Sequence, residues 1–175
     1  MMRILAIIAL TLVTAACGFH LRGQAGLPFE TLYVAVPEAS LLGGELKRNI
    51  IAGTRTKLVN SPAQAQAVLD VTSEERSKSI LSLNTAGRVR EFQLRYRLSF
   101  RVHDSNGRDY LPLSEIRLTR DISFNDAQVL SKEAEELLLF RDMQSDMVQQ
   151  ILRRLSAAPA EPIAFESSVR DATTR

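Results

Sequence analysis

Glu91-Phe92-Gln93-Leu94-Arg95-Tyr96-Arg97-Leu98-Ser99-Phe100-Arg101-Val102-His103 alternates without interruption. Phe92, Leu94, Tyr96, Leu98, Phe100 and Val102 fall on one side of an extended chain, and Gln93, Arg95, Arg97, Ser99, Arg101 and His103 fall on the other. Six large apolar side chains in strict period two describe an antiparallel strand with one buried face and one wet, basic face. Asp104-Ser105-Asn106-Gly107 is a tight-turn cluster. The chain therefore returns antiparallel through Tyr110, Ile116, Leu118, Ile122 and Phe124. Pro112 confines the near end of that return to an edge or an irregular stretch, and Arg120 interrupts its apolar even-numbered positions.

Working outward toward the N-terminus, Thr31 to Val36 alternates in the same way and Pro37 ends it, which predicts a first short strand. From Ser40 to Val59, Leu42, Leu46, Ile50 and Leu58 recur at helical spacing, predicting a helix that starts near Leu42 although Gly43, Gly44 and Gly53 weaken it. Asn60-Ser61-Pro62 punctuates, and Ala67 to Thr72 resumes a strand that continues past Ser79 to Leu83 with a bulge.

Toward the C-terminus, Leu137, Phe140, Met143, Met147, Ile151 and Leu155 recur at three- and four-residue spacing between about Gln128 and Ala157, which predicts a long amphipathic helix. Glu133, Glu135 and Glu136 early and Arg153 and Arg154 late match its dipole. Pro159 and Pro162 break the pattern. The polar residues from Glu166 onward bury too little apolar surface to stay ordered, so residues 159–175 read as a flexible tail. The expected fold is α+β: two amphipathic helices on one face of a small, about four-stranded, mostly antiparallel sheet, in a single domain over residues 31–158.

Arg3, the apolar run Ile4 to Val13 and the small residues Ala15 and Ala16 precede the chain's one cysteine, Cys17. A core of roughly ten apolar residues fits a signal peptide and is too short to cross a bilayer. Residues 1–16 therefore read as a lipoprotein signal, Cys17 as the acylated first residue of the mature chain, and residues 17–30 as anchor and linker. Two or three acyl chains make a stable membrane anchor. Gly18 occupies the position where Asp tends to retain lipoproteins at the inner membrane, which favours the outer membrane. With no second cysteine the chain forms no internal disulfide. A formal net charge of +2 leaves no global electrostatic footprint for nucleic acid.

Cys17-Gly18-Phe19-His20-Leu21-Arg22-Gly23 closely resembles the opening of the lipopolysaccharide-assembly lipoprotein family, the lipoprotein subunit of the outer-membrane lipopolysaccharide translocon. The resemblance continues through the first strand and helix, the run from Asn84 through Gly87 to Glu91-Phe92-Gln93, and the terminal helix ending near Arg153-Arg154-Leu155. It implies a diacylglycerol and an N-acyl chain on Cys17 and no other cofactor. It also implies a compact α+β plug inside a large β-barrel partner, which helps that barrel assemble and contacts lipopolysaccharide on its way to the cell surface.

Such a ligand carries phosphates and acidic sugars, which Arg clamps bidentately and Lys meets as a point charge. Arg88 and Arg90 follow the turn Asn84-Thr85-Ala86-Gly87, and Lys132 lies early in the second helix where it resembles a family lysine implicated in lipopolysaccharide contact. The functional reading converges these three on a ligand phosphate at the sheet end. The plain reading leaves each as a solvated charge that protects a strand edge or pairs with Glu133, Glu135 or Glu136.

The signatures of catalysis are missing from the sequence. It has no HExxH site, no phosphate-cradling glycine loop and no GxSxG elbow. His20 belongs to the anchor segment, and His103 sits at a turn. Two other binding roles share these features: an accessory outer-membrane lipoprotein of another envelope transporter, or a structural tether whose basic strand face docks on anionic lipid.

Overall fold

A computed structural model describes residues 26–163. The signal segment, Cys17 and the tail from Glu166 lie outside the described residues. In chain order the elements are β1 (Thr31–Ala35), α1 (Leu41–Gly53), β2 (Lys57–Leu58), β3 (Ala67–Leu83), β4 (Val89–His103), β5 (Asp109–Ser123) and α2 (Val129–Ser156). The strands lie in the order β2-β1-β3-β4-β5. β1 is parallel to both β2 and β3, and β3, β4 and β5 form an antiparallel meander.

The α+β expectation holds, with one strand more than the four expected. Leu58 sits at helical spacing after Ile50, yet the helix stops at Gly53. There the Thr54 backbone N–H and its hydroxyl both donate to Ile50 O, at 3.0 and 2.8 Å, while Thr54 itself turns extended. Thr56 then donates its hydroxyl to Phe29 O at 2.8 Å, and the Lys57 N–H donates to Glu30 O. The Phe29 and Glu30 carbonyls thus steer the chain alongside β1, so Leu58 belongs to a strand. At the other end of α1, Ser40 Oγ caps the Gly43 N–H at 3.0 Å. Gly43 is needed where it is, because a Cβ there would overlap Val36 Cγ2.

Leu94, Tyr96, Leu98, Phe100 and Val102 are all fully buried, as the alternation of β4 predicts. Leu32, Val34 and Leu69 from the sheet, Leu42, Leu46 and Ile50 from α1, and Met143, Met147 and Ile151 from α2 complete the core. Both helices therefore cover the same sheet face. Glu45 meets Gln144 and Ser145, and Asn49 meets Gln149, so α1 and α2 run side by side in the same direction.

The bulge foreseen in β3 falls between Val71 and Ser73 and reverses which residues look toward the helices. Leu69 and Val71 lie opposite buried Val102 and Phe100, whereas beyond the bulge Glu74, Arg76 and Lys78 lie opposite Leu98, Tyr96 and Leu94. Polar residues are thereby turned under α2, and they are satisfied there. Arg76 Nη2 donates to Gln144 Oε1 at 2.8 Å and to the Tyr96 hydroxyl at 3.0 Å, and its guanidinium lies 4.5 Å from the Tyr96 ring centroid. Tyr96 donates to Glu74 Oε1 at 2.6 Å, and Gln144 Nε2 to Glu45 Oε2 at 2.7 Å. One network thus ties β3 and β4 to both helices. Burial pushes the Tyr96 phenol well above its ordinary range, and the Glu74 carboxylate adds to the rise while Arg76 opposes it.

α2 differs from the expectation in two ways. Its first turn contains no acid, so Glu133, Glu135 and Glu136 lie beyond the reach of the N-terminal dipole. Two of them instead form ion pairs, Glu135 with Lys132 and Glu136 with Lys78. Leu137, which fits the apolar spacing, is 71% exposed, because burial on α2 begins in earnest only at Met143.

Two hairpin turns of the same build close the ends of β4. Asn84 and Asp104 each accept two backbone N–H bonds from the turn that follows, and Gly87 and Gly107 supply the positive φ at 74° and 80°. Asp104 is buried and also takes the Arg108 guanidinium at 2.8 Å. Burial alone raises its carboxyl, but bonds from the Arg108 N–H and guanidinium and from the Asn106 N–H outweigh that and hold it below the usual carboxylate range. A depressed folded value stabilises the fold fully above the ordinary value of 3.8 and loses that contribution as pH falls through the lower folded value. Melting temperature followed from neutral pH into acid should fall more steeply for the wild type than for Asp104→Asn, which has no such charge to lose. Parallel profiles would remove the turn from the acid response.

Candidate functional site

The described chain begins beside the Asp104–Gly107 turn, where Phe29 stacks edge-on against Tyr110 with centroids 4.8 Å apart. This proximal end is separated by the whole of β4, about 50 Å at the usual rise per residue, from a distal end made of the Asn84–Gly87 turn and the start of α2. The distal end gathers the three cations singled out in the sequence.

Arg88 and Arg90 are exposed and line a depression of about 410 Å³ together with Asn84, Phe124 and Asn125. The turn geometry places them: the Arg88 N–H bonds Asn84 Oδ1 at 2.9 Å, and the Phe124 N–H bonds Arg90 O at 2.8 Å. Glu91 lies 3.8 Å from Arg90, a loose pair at the surface.

Lys132 lines a second depression of about 240 Å³ with Lys78, Phe92, Phe124 and Glu136. Its side chain is 16% exposed, and Nζ donates to Glu135 at 2.8 Å and to Ser123 Oγ at 3.0 Å. The three cations therefore reach one end of the molecule but line two depressions, both bordered by Phe124. Phe92 packs edge-on against Phe124, with centroids 5.2 Å apart, to form the apolar floor between them.

Lys78 escaped the sequence reading. It stands over the Phe92 ring at 4.3 Å and bonds Glu136 at 2.5 Å. In the run Glu74 to Ser79 every residue is polar, so alternation gives no hint of which ones face the helices. Only the bulge decides.

The sheet face away from the helices is polar through the middle of its three long strands, with Val68 on it at the proximal end. Gln93, Arg95, Arg97, Ser99 and Arg101 of β4 are flanked by Glu75 and Ser77 on β3 and by Glu115, Arg117 and Thr119 on β5. Most of its cations have acids beside them: Arg101 lies 3.6 Å from Asp70, Arg97 lies 3.8 Å from Glu75, and Arg117 pairs with Glu115. On the helix side, Arg120, the interruption noted in β5, pairs with Asp146 of α2 at 2.7 Å. Among the described residues no group of three or more His, Cys, Asp or Glu side chains is placed to hold a metal, and no helix is long and apolar enough to cross a membrane.

A two-layer α+β body with a largely polar free sheet face and a cation-lined end suits a binding and assembly module. The chain belongs to the LptE lipopolysaccharide-assembly family, whose model matches residues 29–155. An LPS-assembly lipoprotein LptE from Pectobacterium atrosepticum is 30% identical over 148 residues, covering 82% of this chain and 79% of the relative. The solution structure of lipoprotein B from Nitrosomonas europaea is 47% identical and superposes with a TM-score of 0.71, covering 80% of this chain and 91% of that one. The crystal structure of the rare lipoprotein B from Shewanella oneidensis, at 23% identity, shares the fold with a TM-score of 0.64 over 73% of this chain and 94% of its own. With that family comes an outer-membrane, lipid-anchored lipoprotein. Cys17 is the one thiol able to carry the anchor.

Proposed function

We propose that this lipoprotein serves as the plug subunit of a lipopolysaccharide translocon, seated in a large β-barrel whose assembly it assists, and that its distal end binds lipopolysaccharide in transit. The family match over residues 29–155 supports the general role. The observation that carries the binding reading is the placement of Arg88 and Arg90 on one side of the Phe92–Phe124 floor and of Lys78 and Lys132 on the other. Cations flanking an aromatic surface suit an amphiphile with phosphate groups beside apolar chains. A helix-free sheet face that is polar through the middle of its long strands suits a barrel's polar lumen.

The plug reading is tested by gentle solubilisation of outer membranes, capture of a tagged copy and a salt wash. A stoichiometric β-barrel in the eluate is the expected result. Recovery of a different transporter subunit, or of no partner, overturns it in favour of an accessory role.

A further inference from the structure

The proximal end carries a second cationic cluster, at and just beyond the end of α1. Arg48 and Ile51 lie exposed on the outer face of α1, Ile51 at 67%, and Arg55 and Lys57 lie exposed just beyond its end. Among the described residues none of Lys47, Arg48, Arg55 and Lys57 has an acid within ion-pair distance. The sheet-face arginines, by contrast, largely have carboxylates beside them. Paired charges have little left to offer an anionic surface, while unpaired ones retain their full attraction.

The chain's own course brings this cluster to a membrane. Arg55 and Lys57 line a groove of about 360 Å³ with Leu27, Pro28 and Phe29, the first part of the described chain, and Glu30 is the one acid along it. Between Cys17 and Gly26 the chain spans at most about 32 Å even fully extended. An acyl anchor on Cys17 therefore holds this groove close to the bilayer, at an effective concentration on the order of millimolar. An exposed isoleucine among unpaired cations is the pattern of a surface that lies on headgroups.

We propose that the proximal end of α1 docks on the anionic phospholipid headgroups of the leaflet holding the anchor, through Arg48, Arg55 and Lys57, with Ile51 entering the interface. The contact holds the proximal end at the headgroup level of that leaflet. It concerns the end opposite the lipopolysaccharide reading and depends only on the Cys17 anchor.

The test uses the full-length acylated protein in vesicles of phosphatidylethanolamine and phosphatidylcholine, with or without phosphatidylglycerol, and with a headgroup-attached quencher. A fluorophore at Ile51→Cys should be quenched at least several-fold more with phosphatidylglycerol than without, and the difference should vanish at about 0.5 M salt. Each cation contributes about fivefold to such binding, so Arg48→Glu/Arg55→Glu/Lys57→Glu should abolish the difference while the protein still floats with the vesicles. A label at Thr85→Cys on the distal turn should stay unquenched. Equal quenching with and without phosphatidylglycerol, or none in either, overturns the docking. So does wild-type protein that fails to float, since the anchor would then be lost while the lipopolysaccharide reading stood.

Discussion

Replacing Arg88, Arg90 and Lys132 together by alanine is expected to weaken lipopolysaccharide binding by about 30- to 100-fold, equivalent to roughly 2–3 kcal/mol. A hydrogen bond to a charged group contributes about 1.5–3 kcal/mol where water is excluded, but Arg88 and Arg90 stand in open solvent and each is worth less than that. Lys132 is the more sheltered of the three, and its present bonds to Glu135 and Ser123 must be exchanged for those to a ligand. Lys132→Ala alone should therefore have a smaller effect than its burial suggests. Lys78→Ala, on the same depression, should add to the loss. The triple variant should keep its circular dichroism and melting temperature, because no core side chain is touched. Unchanged affinity in folded protein would remove these residues from the site and leave their plain reading, solvated charges at a strand end.

Phe100→Ala should cost about 3–5 kcal/mol, the usual range for a large aromatic removed from a core. Phe100 is fully buried in the C-terminal third of β4, with Val71 and Ser114 as its neighbours across the sheet. Against a total stability of about 5–15 kcal/mol, that loss lowers the melting temperature by roughly 10–20 °C or leaves the domain unfolded. Leu137→Ala, at a position that fits the apolar spacing of α2 equally well, should change stability by less than about 0.5 kcal/mol. Denaturant unfolding of both variants measures the contrast. A large cost at Leu137 would mean that α2 packs along its whole length, contrary to the exposure of its first turns.

The two regular patterns in the chain were legible because they repeat over many residues. β4 buries every apolar residue from Leu94 to Val102 as its alternation required, and α2 runs Val129–Ser156 as its spacing required. Where the local signal was short or polar, reading stopped. Lys57 and Leu58 carry no strand pattern of their own, and their pairing with β1 depends on a Thr56 bond to Phe29 O, 27 residues away. The polar half of β3 gave no face at all. For that reason Arg88, Arg90 and Lys132 were visible as charges near a turn and a helix start, while Lys78, which completes the second depression, was not.

The sequence by itself determined the class of fold, the two amphipathic helices, the long meander and the opening around Cys17, since each rests on a periodicity or a local order that needs no partner to be read. Tertiary structure alone decided the fifth strand, the switch of face at the β3 bulge, the network through Arg76 and Gln144, and which cations keep a carboxylate beside them. Those features depend on residues far apart in the chain meeting in space, and a charge or a bulge acquires its meaning only from what lies opposite it.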